Sequence, residues 1–239
     1  MRGLSLALGI IASLALGISA GGQTIGVPPT TMDGSVAVIV DGWPYAPAHR
    51  PPEIDYPDAN FEQWSDRVFR DSLFLGLKID GSKTLVLIDK PCSTWSGESC
   101  FGHRFHSWWP TMRYYVVDLR LWEGRSTYLV AERDGLITKV VAPPALSPSG
   151  HFAIAADLSP AYGNGLELID MRTKPPAVIY IDTRPACPGT HPQSWLRPNP
   201  RWLDETRIVF EGSYGVGPPM DSDAKQILRI VDGKPEWEC

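Results

Sequence analysis

The fold is decided by a stretch near the middle of the chain, Pro144-Ala-Leu-Ser-Pro-Ser-Gly-His-Phe-Ala-Ile-Ala-Ala-Asp157, which a polar loop connects to Gly165-Leu-Glu-Leu-Ile-Asp170. A turn containing Pro148 and Gly150 leads into the first apolar run, and the second apolar run ends in Asp. A turn, a strand, a loop and a second strand in this order are typical of the units that build stacked β-sheet repeats. The stretch therefore predicts an all-β fold.

Short apolar segments separated by turns continue on both sides of this stretch. Because no helical segments stand between them, the pattern excludes a doubly wound α/β enzyme. We predict a small or incomplete β-propeller-like stack of antiparallel sheets, with a twisted β-sandwich as the alternative. The predicted strands are Val36–Val40, Leu73–Ile79, Thr84–Asp89, Tyr114–Leu121, Ser126–Glu132, Leu136–Val141, Phe152–Ala156, Leu166–Asp170, Val178–Asp182, Arg207–Glu211, Ile227–Val231 and Glu236–Cys239.

One segment has helical spacing instead. Phe61, Trp64 and Val68 recur at about the period of an α-helix, and Asn60 is a suitable N-cap. We predict a short helix over Phe61–Arg70, with a loop that ends in an extended segment as the alternative.

A weak internal repeat supports stacked sheets. Pro144–Ile154 resembles Pro200–Phe210, since each has a Pro-initiated turn, a polar bend and then an apolar strand. Leu166–Asp170 then matches Ile227–Val231, and a Lys-Pro step follows each. Two units in the same order favour a blade-like repeat.

The turn Ser147-Pro148-Ser149-Gly150 and the strand Leu166–Asp170 resemble the WD40-like repeats of periplasmic propellers of the TolB type. In that family a Ser-Pro-Asp-Gly turn opens the strand, so Ser149 replaces the usual Asp. The resemblance is clear over about one blade, residues 143–182, and weak over a second, residues 198–239. It implies a propeller fold outside the cytoplasm and no particular activity.

The chain also resembles small exported proteobacterial proteins of unassigned function. The shared features are the Ser147-Pro148 turn, the Tyr162-Gly163-Asn164 loop and the strand start Pro200-Arg201-Trp202-Leu203-Asp204. A complete propeller needs about four blades. The predicted strands make about three, or four if the segment with Val36–Val40 contributes.

Residues 1–20 are predicted to be an export signal. Arg2 is the one charge, Leu4–Leu16 is apolar or small, and Ile18-Ser19-Ala20 offers a cleavage site. The alternative is a permanent membrane anchor. We expect a loop-rich lead-in over residues 21–60 and one propeller-like domain over residues 61–239, in the periplasm or secreted, with no membrane insertion after signal removal.

Charge and cysteine content fit that compartment. Loss of Arg2 with the signal would change the formal net charge from −5 to −6, so nucleic acid is not expected as a partner. Four cysteines allow three disulfide pairings in an oxidising compartment. We favour Cys92–Cys100, which closes a small loop, and Cys187–Cys239, which ties back the last residue.

No catalytic signature stands out. The chain lacks Gly-x-Ser-x-Gly, His-Glu-x-x-His, a phosphate-binding loop and a dinucleotide fingerprint. His103 and His106 have metal-binding spacing for a helix, but their neighbours predict a loop or strand, in which they would point to opposite faces. We therefore expect no metal and no cofactor.

The best candidate for a binding surface is the loop-like segment from Cys92 to Pro110. Trp95, Trp108 and Trp109 lie there among Ser, Gly and Pro, beside both histidines. Exposed aromatic rings stack on sugars or anchor partner proteins, whereas buried ones fill gaps between sheets.

These observations favour an exported, non-catalytic binding or protein-interaction module that recognises an unknown protein or glycan partner in the cell envelope. One alternative is a periplasmic hydrolase that cleaves glycans or esters and uses scattered carboxylates or His103 and His106. The other is a structural component of an envelope complex.

Overall fold

The fold is all-β, as predicted. A computed structural model describes residues 36–42, 62–71, 73–90, 100–121, 124–157, 165–182, 195–214 and 226–238. These residues form four antiparallel sheets of four strands each, in a propeller-like stack. The strands are β1 (Val36–Asp41), β2 (Val68–Asp71), β3 (Phe74–Ile79), β4 (Lys83–Ile88), β5 (Phe101–Trp109), β6 (Tyr114–Leu121), β7 (Gly124–Ala131), β8 (Ile137–Val140), β9 (Ala145–Leu146), β10 (Phe152–Asp157), β11 (Gly165–Asp170), β12 (Ala177–Asp182), β13 (Trp195–Trp202), β14 (Arg207–Tyr214), β15 (Gln226–Val231) and β16 (Lys234–Glu238).

Each sheet is built from strands that follow one another in the chain. The second sheet is β5-β6-β7-β8, the third is β9-β10-β11-β12 and the fourth is β13-β14-β15-β16, in spatial as well as chain order. The first sheet has the order β1-β4-β3-β2. Its edge strand β1 comes from the segment predicted as a lead-in and pairs with β4. The N-terminal segment therefore contributes the fourth strand of the first sheet, and the described sheets number four rather than three.

The predicted helix over Phe61–Arg70 is wrong, and its alternative is correct. A single 3-10 turn, Glu62–Trp64, precedes the extended strand β2. Val68 pairs with Leu77 of β3 and is 1 % exposed. Strand pairing and burial of Val68 therefore override the helical spacing of the apolar residues.

Three hydrophobic clusters join consecutive sheets and define three seams. The first seam lies between the first and second sheets, the second seam between the second and third, and the third seam between the third and fourth. On β6, Tyr115 and Val117 face the first seam, whereas Tyr114 and Val116 face the second. The two central sheets are thus buried on both faces, which explains their nearly continuous apolar strands.

The internal repeat corresponds to the first hairpins of the third and fourth sheets, which contact each other. The Trp202 indole N–H donates a hydrogen bond of 2.8 Å to the carbonyl of Ala145. The Ser149 hydroxyl, which replaces the Asp of the resembled repeat, donates a bond of 2.6 Å to Glu205 in the turn of the other hairpin. Equivalent turns of the two units are therefore linked directly.

Several predictions fall on residues outside the described ranges. The export signal, Cys92, Cys187 and Cys239 lie there, so both disulfides stay predictions. Cys100 is buried, and an antiparallel bridge pairs Lys90 with Phe101. The bridge holds the chain before Cys92 beside the strand that follows Cys100. In the described part of the chain, no helix has the length and apolarity needed to cross a membrane.

We predict that Asp204, in the turn between β13 and β14, stabilises the folded protein in a pH-dependent way. Its carboxylate accepts hydrogen bonds from the backbone N–H and hydroxyl of Thr206 and from Arg207, which lower the pKa of Asp204 to about 2. A lowered folded-state pKa gives stability that is present above the unfolded pKa and lost as the pH falls toward 2. Urea midpoints measured from pH 6 to about pH 2 should therefore fall less in Asp204→Asn than in the wild type. Asp66→Asn serves as the surface control. If the urea midpoints of the wild type and Asp204→Asn fell in parallel as the pH was lowered, this role of Asp204 would be contradicted.

Candidate functional site

Four of the five predicted binding residues lie on β5, an edge strand of the second sheet. Residues 101–109 therefore form a strand, which is one of the two possibilities, loop or strand, that the sequence left open around His103 and His106. The fifth, Trp95, lies outside the described residues. The strand carries a bulge between Phe105 and Ser107, so His106 has no partner on β6. Bulges re-aim side chains and are frequent beside functional sites.

His103 lies fully buried in the first seam and binds the first sheet. Asp89, just after β4, accepts bonds of 2.8 Å from the backbone N–H of His103 and 2.7 Å from its Nδ1. The second oxygen of Asp89 accepts a bond of 2.7 Å from the Arg70 guanidinium, and Arg70 also donates to the carbonyl of His103. One carboxylate thus fixes a histidine and an arginine from two sheets.

The hydrogen bonds assign the tautomer of His103. Because the Asp89 carboxylate is an acceptor, Nδ1 carries the proton and Nε2 is left as an acceptor. Nε2 is buried and has no hydrogen-bond partner. An aspartate that orients a histidine in this way also occurs in general-base catalysis. Here the imidazole is enclosed by Phe101 and Tyr128, with ring centroids 5.8 Å away in each case.

The structure does not bring His103 and His106 together. The His106 side chain is 44 % exposed, and its Nδ1 lies 3.8 Å from a carboxylate oxygen of Asp118 on β6. His103 faces the first seam, whereas Asp118 lies on the face that turns toward the second seam. Among the described residues there is no group of three histidine, cysteine or acidic side chains that could hold a metal ion.

Trp108 and Trp109 are partly buried and pack into different seams. Trp108 contacts the Trp64 ring edge-on at a centroid distance of 5.0 Å, and the Arg67 guanidinium carbon lies 3.6 Å above its ring. Trp109 packs against the second-seam cluster. This placement fits the gap-filling alternative for both rings, and their role in binding stays a prediction.

A network of ion pairs closes the Trp108 end of the first seam. Arg67 lies 3.4 Å from Glu132, and Arg113 donates hydrogen bonds to Glu132 and to Asp80. The bond to Glu132 is the main cause that raises the pKa of Arg113. These contacts connect the turn after β3 with the two turns that flank β6 and β7.

The opposite face of β5 carries an arginine without a partner. The Arg104 side chain forms no hydrogen bond or ion pair with any described residue, although its Nε is buried. It lies in register with Asp118, whose carboxylate accepts a bond of 3.2 Å from the Thr127 hydroxyl. Two further arginines, Arg120 and Arg125, face each other across β6 and β7.

The outer edge strand of the third sheet exposes apolar side chains. Ile181 is 60 % exposed and Ile179 is 46 % exposed on β12. In the described part of the chain, β12 pairs on one side only, with β11. A signal for this edge is present in the sequence, because residues 177–181 contain no charged residue and no proline.

Sequence reasoning missed Asp89, Arg70 and Arg104. Asp89 and Arg70 stand 14 and 33 residues from His103, and no local motif links them. Arg104 was visible in the same strand, but its lack of a partner depends on neighbours that only the folded sheets define.

No family model, curated protein or solved structure matches this chain. The site therefore has to be interpreted from its own geometry.

We predict that Asp89→Ala strongly destabilises the protein. The substitution leaves the Arg70 guanidinium, which is 6 % exposed, without its carboxylate, and such a loss costs about 3–5 kcal/mol. Asp66→Ala is the matched control, because Asp66 is 66 % exposed and its pair with Arg67 is worth less than about 1 kcal/mol. Chemical denaturation measures both, and equal losses would show that Asp89 does not hold the seam.

We also predict that Trp108→Ala reduces stability, contrary to the expectation for an exposed recognition ring. Removal of a ring packed between Trp64 and Tyr115 should cost about 2–4 kcal/mol of unfolding free energy. Phe74→Ala, at an aromatic residue that is 40 % exposed, should cost clearly less. A Trp108→Ala protein as stable as the wild type would place that ring outside the core.

Proposed function

We propose that this chain is an exported, non-catalytic module that binds a protein partner in the cell envelope through the edge of its third sheet. The observation that carries the proposal is the exposure of Ile179 and Ile181 on β12, whose outer edge pairs with no described strand. An edge strand offers backbone N–H and C=O groups, and an extended segment of another protein pairs with them by strand addition.

The inner side of β12 is held in place. The carboxylate of Asp182 accepts a bond of 3.0 Å from the Tyr180 hydroxyl and one of 3.2 Å from the Trp237 indole N–H. Burial, together with the bond to Asp182, raises the pKa of Tyr180 to about 12, so this bond persists through the physiological range. A fixed edge loses little entropy when a partner strand binds.

Comparison with β8 and β16, the outer strands of the second and fourth sheets, supports a specific role for β12. The outer strand β8 has four residues and includes Lys139, whereas β16 carries Lys234, Pro235 and two glutamates. Lysine, proline and short length are devices that protect sheet edges from pairing. On β12, Ile179 is the extra residue of a bulge, which interrupts the ladder and favours one short partner strand over open-ended stacking.

The exposed isoleucines define the chemistry of the partner. Side chains on one face of a strand alternate, so the partner segment should be extended, with apolar residues at every second position. A glycan fits this surface poorly because it supplies no backbone hydrogen-bonding ladder. The Asp89–His103 pair is the observation that favours the alternative of a hydrolase, but a substrate would reach Nε2 only if the first seam opened.

The test is photo-crosslinking in the exporting cell from a probe at position 181, followed by reconstitution with the purified crosslinked protein. Ile181→Lys should leave the unfolding midpoint unchanged and weaken binding at least about tenfold. Slowed amide exchange along β12 in the complex would identify strand addition. Leu136→Lys, at an apolar residue that is 48 % exposed beside β8, is the matched control and should bind normally.

Two outcomes would contradict the proposal. One is crosslinking from position 181 that is no stronger than from position 136. The other is a complex that Ile181→Lys forms as tightly as the wild type.

A further inference from the structure

Arg104, whose side chain has no partner among the described residues, indicates a second site that is independent of the β12 edge. A guanidinium has five N–H donors and stays charged, so partial burial without an acceptor is costly. Arg70 shows how the same chain treats an enclosed arginine, since it has both a carboxylate and a carbonyl as partners. A buried polar group without a partner in a folded protein calls for a ligand or another specific explanation.

The register of the second sheet places further cations beside Arg104. Arg104 is opposite Asp118, and Arg120 lies two positions along β6 on the same face, within reach of a long side chain. Arg120 stands directly opposite Arg125, and like charges in this arrangement repel each other. Three arginines from three adjacent strands therefore share one face of the sheet.

Two described carboxylates lie beside this row. Asp157 from the third sheet lies 2.9 Å from the Nε of Arg125, and Asp118 stands between the arginines. The row is open at one side, because the side chain of Arg125 is 49 % exposed and His106, near Asp118, is 44 % exposed.

We propose that Arg104, Arg120 and Arg125 form a binding site for a carboxylate group of a ligand. A carboxylate supplies the acceptor that the Arg104 side chain lacks among the described residues, and its two oxygens suit two parallel bonds from the planar guanidinium. His106 and Asp118 form the rim and supply a donor and an acceptor for neighbouring hydroxyl or amide groups. His106 thus has a place in binding that does not depend on His103.

The test follows the Nε–H resonance of Arg104 by NMR during titration with sodium acetate, with sodium chloride keeping the ionic strength constant. The resonance should shift saturably in the wild type and in Arg172→Gln, a control that removes an exposed arginine paired with Asp170. In Arg125→Gln the dissociation constant should rise at least about tenfold. Arg104→Gln lacks this resonance and is followed through the Nε–H resonance of Arg125, which should show no binding of acetate. Its thermal midpoint should equal or exceed that of the wild type, because a cation without a described partner is removed.

The source of the carboxylate is resolved by two further titrations, with glucuronate for a sugar acid and with N-acetylglutamate amide for an acidic side chain. The compound that binds with the lower dissociation constant identifies the source of the carboxylate. A resonance that responds equally to acetate and chloride would overturn the proposal. A saturable response to inorganic phosphate but not to acetate would overturn it as well.

Discussion

Burial of both faces of the two central sheets is the constraint on which the rest of the structure depends. Neighbouring residues of β6 serve different seams, because Tyr115 faces the first sheet and Val116 faces the third. A polar side chain in the middle of such a strand would lose its water on either face. A charged group in the middle of a central strand therefore needs a partner, as the Glu167 carboxylate of β11 shows by accepting a hydrogen bond of 2.9 Å from the backbone N–H of Val141.

The polar residues on and beside β5 have two different roles. Asp89 saturates its carboxylate with His103 and Arg70, and the three groups connect the first sheet to the second. Arg104 is adjacent to His103 in the same strand, but it points to the other face and has no described partner. The same strand therefore contributes a hydrogen-bonded structural cluster on one side and, on the other, a cation without a described partner, which is the basis of the proposed carboxylate site.

The strands that the sequence predicted are those with a regular apolar pattern or a clear hairpin turn, such as β6 and β11. The strands that it missed are β2, β5, β9 and β13, the first strand of each consecutive set. Each of these lacks the regular apolar pattern of the strands that were predicted. The bulge at His106 breaks the alternation of β5, two prolines interrupt β13, and β9 has only two residues.

The sequence by itself determined the antiparallel all-β class and the repeated turn-and-strand unit, because turns and alternation depend on residues close together in the chain. Only the tertiary structure decided that Trp108 is packed in a seam, that His103 is bound by Asp89 and that Arg104 is left without an acceptor. These outcomes depend on which sheets face each other, and contacts between residues far apart leave no periodic signal in a single sequence.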